Sequence, residues 1–379
     1  MRVICSCRAC RAARKDLRRR PGQAPASGRK AQGEMEKETI SIYTIAREAG
    51  VSPATVSRVL NGSAKVSEEK RLRVQSLIEK YNFTPNALAR GLSSVETKVI
   101  GLMVSDIRNP FYATMVVECE KAANERGYLM MLCNSLGSNE MELSYLEKFN
   151  SQRVDAVIQI GGKVDELISD TGYVENVNKV ASSMPVLITG KLDGADCYQV
   201  NIDEGQAMEL LIRFLIENGH RDIALLGGRD GVKSTVDKRL RYRQMLWKYG
   251  IPVREEYIID GDSYDIESGS EAMRQFMRED HPMPTVIIAI NDFTAVGVVR
   301  TLREAGYEIP EDISVVSFDN TYIAETCMPR LTCVGYDYRM FGHLLIDTAV
   351  RAIHKEEPPR VQMVKSRLVI RDSCKCLND

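Results

Sequence analysis

Two kinds of hydrophobic pattern divide the chain. Between residues 41 and 81 apolar side chains recur at helical spacing, whereas from Val99 onward short continuous apolar runs alternate with helical stretches. These runs form two series, at 99–104, 128–133, 156–160 and 186–189, and then at 223–226, 257–260, 286–290 and 314–318. Continuously apolar strands separated by helices are typical of parallel sheets that are covered on both faces. We therefore predict two doubly wound lobes, with ligand held between the carboxyl ends of their strands.

Segment 41–62 predicts two short helices joined by a tight turn at Gly50. Ser41 is a suitable N-cap for the first helix, and Ser52 followed by Pro53 suits the start of the second, because proline needs no amide donor there. The second helix would turn outward the side chains of Pro53, Ala54, Thr55, Ser57 and Arg58. A slim face with one guanidinium suits a helix that enters the DNA major groove and donates to guanine. On spacing alone, an ordinary helical hairpin remains the alternative.

A third helix is predicted after Ser67, which can cap it, while Glu68 and Glu69 interact favourably with the helix dipole in the first turn. Four apolar side chains share one face of this helix: Val74, Leu77, Ile78 and Tyr81. The three helices together span only about 45 residues, so we expect a small core of modest stability.

The run from 50 to 92, GVSPATVSRVLNGSAKVSEEKRLRVQSLIEKYNFTPNALARGL, closely resembles the headpiece of the lactose-repressor (LacI/GalR) family of bacterial transcription regulators. The resemblance extends over about residues 40 to 371. It implies an all-α helix-turn-helix headpiece at 39–84 and a hinge helix and linker at 85–98. It also implies, at 99–379, an α/β two-lobed effector-binding and dimerisation domain similar to periplasmic binding proteins. Members of this family are sequence-specific DNA-binding regulators, so we expect a repressor that a small effector controls allosterically.

By this resemblance, a homodimer would place two recognition helices on the halves of a near-palindromic double-stranded operator. Arg58 is the candidate for direct base contact, and Pro53 and Ala54 lie where relatives discriminate between operators. Leu92 matches a leucine that wedges into the central base step from the minor groove. The predicted DNA-binding residues are Ser41, Tyr43, Ser52, Pro53, Ala54, Thr55, Ser57, Arg58, Asn61, Lys65, Asn86, Ala89 and Leu92.

The resemblance also implies an effector site at the ends of the sensor strands. Its predicted residues are Asp106, Asn109, Phe111, Tyr112, Lys191, Arg239, Asn291, Asp319 and Tyr336. Aromatic rings beside a few polar groups suit sugar-like ligands, although a loop-capping or surface role is the alternative for each residue. Relatives commonly carry Asp-Arg where this chain has Gly190-Lys191, and an ammonium cannot make the planar bidentate contact of a guanidinium. We therefore expect a carbohydrate or related metabolite and name no particular sugar.

Charge is distributed unevenly along the chain. Residues 1–38 carry 11 Lys/Arg against 4 Asp/Glu, whereas residues 99–379 carry 31 against 43. A basic head on an acidic body is typical of a phosphate-binding module attached to a soluble sensor. Residues 1–38 are expected to be a disordered basic extension, with Met35 a candidate translation start. Since no apolar run has membrane-spanning length or resembles a secretory signal, we expect a cytoplasmic protein without membrane contact.

Metal, cofactor and catalytic chemistry are not expected. Cys5-x-Cys7-x-x-Cys10 lacks a second ligand pair at zinc-site spacing. The sequence contains no nucleophile elbow and no phosphate loop, which argues against an enzyme that uses the cleft. The other alternative is a solute-binding protein without a DNA role, against which the intact headpiece counts. The tail lacks sustained leucine heptads, which favours a dimer over a dimer of dimers.

Overall fold

The computed structural model of the chain describes residues 40–60, 66–81, 83, 96–279 and 281–378. They form two compact units, the headpiece within residues 40–83 and the sensor within residues 96–378. None of the helices in these ranges is both long and apolar enough to cross a membrane. Several predicted features lie outside the described residues: the extension at 1–38, the hinge segment at 85–95, and Asn61, Lys65, Asn86, Ala89 and Leu92.

The described headpiece consists of α1 (Ile42–Ala49), α2 (Pro53–Leu60) and α3 (Glu68–Lys80). The Ser41 hydroxyl accepts the Thr44 amide at 3.3 Å, and the Thr44 hydroxyl accepts the Ser41 amide in return, so α1 begins with a capping box. It ends at Gly50, whose φ of 64° lies in the left-handed region that favours glycine. Ser52 accepts the Thr55 amide at 3.2 Å, which confirms its predicted place at the start of α2.

The headpiece core is small, as expected. The buried side chains that the three helices share are Ile45, Ala46, Ala49, Val56 and Val74. Ser67 does precede α3, but its side chain makes no capping hydrogen bond, so that part of the prediction is wrong. The Tyr81 hydroxyl donates to the Glu48 carboxylate at 2.8 Å and ties the end of α3 to α1.

The sensor alternates strands and helices along the chain. Its strands are β1 (Val99–Val104), β2 (Leu129–Asn134), β3 (Ala156–Ile160), β4 (Val186–Thr189), β5 (Tyr198–Ile202), β6 (Ile223–Leu226), β7 (Ile258–Ile259), β8 (Val286–Ala289), β9 (Ser314–Asp319), β10 (Thr332–Tyr336), β11 (Val361–Val364) and β12 (Ser366–Val369). Its helices are α4 (Pro110–Glu125), α5 (Asn139–Gln152), α6 (Thr171–Ala181), α7 (Glu204–Glu217), α8 (Lys233–Lys248), α9 (Ile266–Arg278), α10 (Asp292–Glu304), α11 (Tyr322–Thr326) and α12 (Tyr338–Ile353). Short 3-10 helices lie at Gly162–Asp165 and Glu255–Tyr257.

These elements form two lobes, each built on a six-stranded sheet. In the first lobe all strand pairs are parallel, in the order β11-β5-β4-β3-β1-β2. In the second the order is β12-β10-β9-β8-β6-β7, and only β12 runs antiparallel to its neighbour. Helices α4 and α12 cover one face of the first sheet and α5 and α6 the other. Helices α7 and α8 cover one face of the second sheet and α9, α10 and α11 the other. The prediction of two doubly wound lobes is confirmed.

The chain crosses between the lobes three times: between β5 and α7, between β10 and α12, and between β11 and β12. The last two crossings come from the tail, as predicted. Four predicted strands (β1, β3, β4 and β6) have the expected bounds, and the other four differ by one residue at one or both ends. The apolar-run pattern missed β5, β11 and β12, which are partly exposed sheet-edge or near-edge strands, and β10, where threonine, cysteine and glycine interrupt the apolar pattern.

Candidate functional site

The exposed face of α2 is the first candidate site. Pro53, Ala54 and Arg58 are exposed, while Val56 is fully buried on the opposite side of the same helix. Thr55 and Ser57 lie half-buried at the edges of this face. Within the described residues the Arg58 guanidinium has no hydrogen-bond or ion-pair partner. A single unpaired guanidinium on a slim helix face is available to bind an acceptor outside the headpiece.

Residues at the helix starts adjoin this face. Tyr43 is 71% exposed on α1. The hydroxyls of Ser41 and Ser52 are already engaged as helix caps, and Ser52 is exposed. Their established role is therefore structural, and any contact that they make with a phosphate would add to that role.

The second candidate site is a cavity of about 370 Å³ between the two lobes of the sensor. Its walls come from segments that follow strands of both sheets, as the topology predicts for a doubly wound fold. Six of the nine predicted effector residues line this cavity: Asn109, Phe111, Tyr112, Asn291, Asp319 and Tyr336. Two further residues that follow sensor strands, Asp203 and Tyr264, also line it.

Aromatic rings form much of the cavity wall. The Phe111 ring lies edge-on to Tyr112 at 5.2 Å and to Tyr336 at 6.5 Å between centroids. Across the cleft, the Tyr264 hydroxyl lies 2.8 Å from the hydroxyl of Thr235. Gly161 lies against Tyr112, and a Cβ at this glycine would stand 2.4 Å from the tyrosine hydroxyl. The ring of Tyr112 can therefore occupy its place in the wall only because residue 161 has no side chain.

Two amides in the wall also hold helices in place. Asn109 Oδ1 accepts the Phe111 amide at 3.0 Å and caps α4, and Asn291 Oδ1 accepts the Thr294 amide at 2.7 Å and caps α10. Capping fixes the orientation of both side chains at the cavity wall. The Asn291 Nδ2 donates to the Tyr264 carbonyl at 3.2 Å, so this amide is fixed at both ends.

The remaining three predicted effector residues lie elsewhere. Asp106 lines a neighbouring cavity of about 810 Å³ and pairs with Arg108 at 2.7 Å. Lys191 is exposed, pairs with Asp193 at 2.9 Å, and lines neither cavity.

Arg239 is also outside both cavities, which corrects its predicted position. Its guanidinium donates to the carbonyls of Gly227 and Gly228 at 3.2 and 3.1 Å and pairs with Asp260 at 2.5 Å. Two residues further along α8, Arg241 lines the cleft cavity, although the sequence suggested a surface charge there. Residues two apart on a helix point in nearly opposite directions, so only one of the two arginines can face the cleft.

Sequence reasoning also missed the cavity residues Asp165, Glu204 and Lys238. On α8 a polar stripe at helical spacing could have revealed Lys238: Ser234, Asp237, Lys238, Arg241 and Gln244 all line the cavity. Asp165 lies on the 3-10 helix Gly162–Asp165, and nothing in the local pattern distinguishes it from a loop carboxylate.

Burial shapes the electrostatics of the cleft. Lys238 is only 5% exposed and pairs with Glu204 at 2.6 Å. Burial alone would lower the pKa of the Lys238 ammonium, but Glu204, with smaller effects from Asp319 and Tyr264, outweighs it and the net shift is upward. Burial, followed by the charge of Glu204, raises the pKa of the Asp165 carboxyl to about 7. Burial, followed by repulsion from Asp292, raises the pKa of the Asp319 carboxyl well above its usual range.

Direct contacts join the two lobes beside the cavity. The Ser234 hydroxyl of the second lobe donates to Asp165 of the first at 3.1 Å. The Leu167 amide donates to the Gly231 carbonyl at 2.8 Å, next to an antiparallel bridge between Glu166 and Val232. The lobes are thus linked at one side of the cleft by backbone and side-chain hydrogen bonds.

The described residues contain no group of three or more His, Cys, Asp or Glu side chains that could hold a metal ion. Cys5, Cys7 and Cys10 lie outside the described residues. The seven cysteines that the structure does describe are free thiols.

Comparison with known proteins agrees with both units. Residues 41–86 match the bacterial regulatory proteins of the lacI family, and residues 212–374 match the periplasmic binding protein-like domain. Catabolite control protein A of Priestia megaterium is 34% identical over 319 residues, which cover 84% of this chain and 93% of that protein.

Solved structures agree with the fold. The Lac repressor dimer bound to operator and the anti-inducer ONPF superposes with a TM-score of 0.79 at 24% identity, covering 89% of this chain and 99% of that one. The transcriptional regulator CelR in complex with cellobiose has a TM-score of 0.65 at 27% identity, covering 88% and 99%. The chain therefore belongs to the lacI family of bacterial regulatory proteins and is a DNA-binding transcriptional regulator.

Proposed function

We propose that this chain is a repressor that binds a near-palindromic operator as a homodimer and releases or tightens its hold when a small polar ligand enters the sensor cleft. The observation that carries the proposal is the exposed α2 face, where Arg58 has no partner among the described residues. Two such faces related by a twofold axis would contact two half-sites of one operator. The dimeric Lac repressor on its operator has the same fold and supports this arrangement.

On this proposal, Arg58 donates to a guanine edge, and Pro53 and Ala54 contact thymine methyl groups or permit close approach. Tyr43 and the amides at the helix starts would bind phosphates and set the register. The predicted contacts of Asn61 and Lys65, and those of Asn86, Ala89 and Leu92 in the hinge segment, belong to the same proposal and lie outside the described residues.

The cleft is the proposed effector site. Arg241 replaces Arg239 among its effector-binding residues, and the others are Asn109, Phe111, Tyr112, Asn291, Asp319 and Tyr336. Because a ligand there would touch both lobes, it would favour the lobe arrangement to which it binds more tightly. The ligand then changes operator affinity by the same factor by which the operator changes ligand affinity. The ligand is a corepressor if it and the operator favour the same lobe arrangement, and an inducer if they favour different ones. The CelR–cellobiose complex supports a carbohydrate-like ligand.

A non-catalytic role agrees with the relatives, which are regulatory proteins. The cleft carboxylates have explicable roles without chemistry, since Asp203 caps α7 by accepting the Gln206 amide at 2.9 Å and Glu204 pairs with Lys238. We therefore propose binding, not turnover, as the function of the cleft.

The proposal is tested by selecting inverted-repeat DNA with the full-length protein and then measuring the selected site with the variant Arg58→Ala. Specific affinity should fall by at least about tenfold, because one bidentate guanine contact is worth about 1–3 kcal/mol. Arg73→Ala is the matched control, since Arg73 lies on α3 and pairs there with Glu69 at 3.7 Å. A footprint that Arg58→Ala leaves unchanged, or an equal loss in both variants, would contradict the recognition-helix assignment.

A further inference from the structure

Carboxyl groups outnumber cations in the lining of the cleft. The lining includes five acidic side chains, Asp165, Asp203, Glu204, Asp237 and Asp319, and three cations, Lys233, Lys238 and Arg241. Two of the cations are committed to lining carboxylates, since Lys233 pairs with Asp237 and Lys238 pairs with Glu204. Arg241 lies 4.0 Å from Glu209, outside the lining. Among the described residues, no ion pair joins a lining cation to the other three acidic side chains.

Two carboxyl groups of the lining have no ion-pair partner. Within the described residues no hydrogen bond or ion pair reaches the Asp319 carboxyl, and Asp165 accepts only the hydroxyl of Ser234. Asp319 comes from the second lobe and Asp165 from the first, and both line the same cavity as Tyr112. Burial makes ionisation of both carboxyls costly, and a cationic ligand in the cavity would offset that cost.

The aromatic wall suits the same ligand. Tyr112, Tyr264 and Tyr336 present rings to the cavity that also contains Asp165 and Asp319. Tyrosine faces attract cations and stack on the apolar faces of sugar rings. At about 370 Å³ the cavity admits a small metabolite.

We propose that the effector is cationic: a small hydroxylated metabolite that carries a protonated amine, such as an amino sugar, with the amine bound by one of the two carboxylates that have no ion-pair partner, Asp165 or Asp319. This inference rests on the proposed function, because it names the ligand class of the same cleft. A phosphorylated ligand is disfavoured, since Lys233 and Lys238 already pair with carboxylates and acidic side chains outnumber cations five to three in the lining. A metal ion is disfavoured because the described residues offer no cluster of three ligating side chains.

The test uses calorimetric titration of the full-length protein with paired probes that differ only by exchange of a hydroxyl for an amine. The pairs are glucose and glucosamine, galactose and galactosamine, and butane-1,4-diol and 4-aminobutan-1-ol, with N-acetylglucosamine as the uncharged amide control. At neutral pH, where the amines are largely protonated and the Asp165 carboxyl, whose pKa is about 7, can still ionise, the amine member of a binding pair should bind at least about tenfold more tightly, as expected for charge-assisted hydrogen bonds. Equal or tighter binding by the neutral member, or no binding by any amine, would overturn the inference.

Variants of the two carboxylates show where in the cleft the amine binds. Either Asp165→Asn or Asp319→Asn, whichever removes the carboxylate that binds the amine, should weaken binding of the amine by about tenfold or more and leave little preference over the neutral partner. Asp196→Asn is the control, because it removes an exposed carboxylate that pairs with Arg360 at 2.7 Å far from the lining. Unchanged amine affinity in both cleft variants would overturn the inference.

The proposed function is measured separately, by the preference of the ligand-free protein for an inverted repeat over random duplex. A neutral sugar that binds in the cleft and alters operator affinity would leave that function standing while overturning the cationic ligand.

Discussion

The headpiece and the sensor hold their functional residues in different ways. In the headpiece, the candidate residues Pro53, Ala54 and Arg58 lie within six positions on one short helix, and a core of five buried side chains supports them. In the sensor, the cleft residues come from both sheets and from positions as far apart as Asn109 and Tyr336. The position of residues on one helix face depends on helix periodicity, whereas the lining of a cleft depends on which strands become neighbours. The two units should therefore differ in how mutations change their stability and binding.

The largest expected effect is in the sensor, at the buried pair of Lys238 and Glu204. Lys238→Met leaves the Glu204 carboxylate buried without its partner and should lower the free energy of unfolding by about 3–5 kcal/mol. Chemical denaturation monitored on the sensor transition measures it, and adding Glu204→Gln should restore most of the loss. Lys121→Met, which removes an exposed lysine that pairs with the partly buried Glu118, should cost less than about 1 kcal/mol. Equal costs for the two lysines would show that burial of the pair does not matter.

In the headpiece, Ile45→Ala should cost about 2–4 kcal/mol, because it opens a cavity among only five fully buried side chains. That loss should unfold the headpiece and abolish operator binding, while the sensor transition in calorimetry keeps its midpoint. Leu72→Ala on α3, where the leucine is 58% exposed, is the control and should change little. A matching shift of the sensor transition would contradict the independence of the two units.

The effect that is smallest at any single step of its measurement is a pH dependence at Asp165. Burial raises its pKa from 3.8 to about 7, so the folded protein holds a proton that the unfolded chain releases between these values. The stability that this group contributes is therefore present in full below pH 3.8 and is lost as the pH rises to about 7. Asp165→Asn should lose less stability over that range, by up to about 1.4 kcal/mol for each pH unit.

Thermal unfolding across this pH range measures the effect. Asp196→Asn, an exposed substitution in the same lobe, should retain the wild-type slope. A slope in Asp165→Asn as steep as that of the wild type would show that the carboxyl ionises freely in the folded protein.

The local sequence pattern predicted an element correctly where the residues of that one segment decide both its secondary structure and its burial. The bounds of β1, β3, β4 and β6 follow from continuous apolar runs, since these strands are buried on both faces. The caps at Ser41 and Ser52 follow from residue type. Ser67 occupies the same kind of position without making its hydrogen bond, because the hydroxyl has more than one rotamer available and the backbone alone does not choose it.

The local sequence pattern predicted only part of the cleft lining. Asn109 and Asn291 were found because the residues that follow parallel strands lie at the same edge of a sheet. Arg239 was chosen over Arg241 because sequence does not state which face of α8 meets the cleft, and that face is decided by how the helix packs beside α7 on its sheet.

By itself, the sequence determined the two-unit organisation, the exposed face of α2 and the doubly wound class of the sensor, because helical and strand periodicities record which side of each element is buried. Only the tertiary structure decided the charge of the cleft. Asp165 and Asp319 belong to different lobes, and Glu204 meets Lys238 across two helices, so their pairing and burial exist only once the sheets and helices are assembled. An unpaired carboxylate is a property of its surroundings, and no single segment of the chain contains those surroundings.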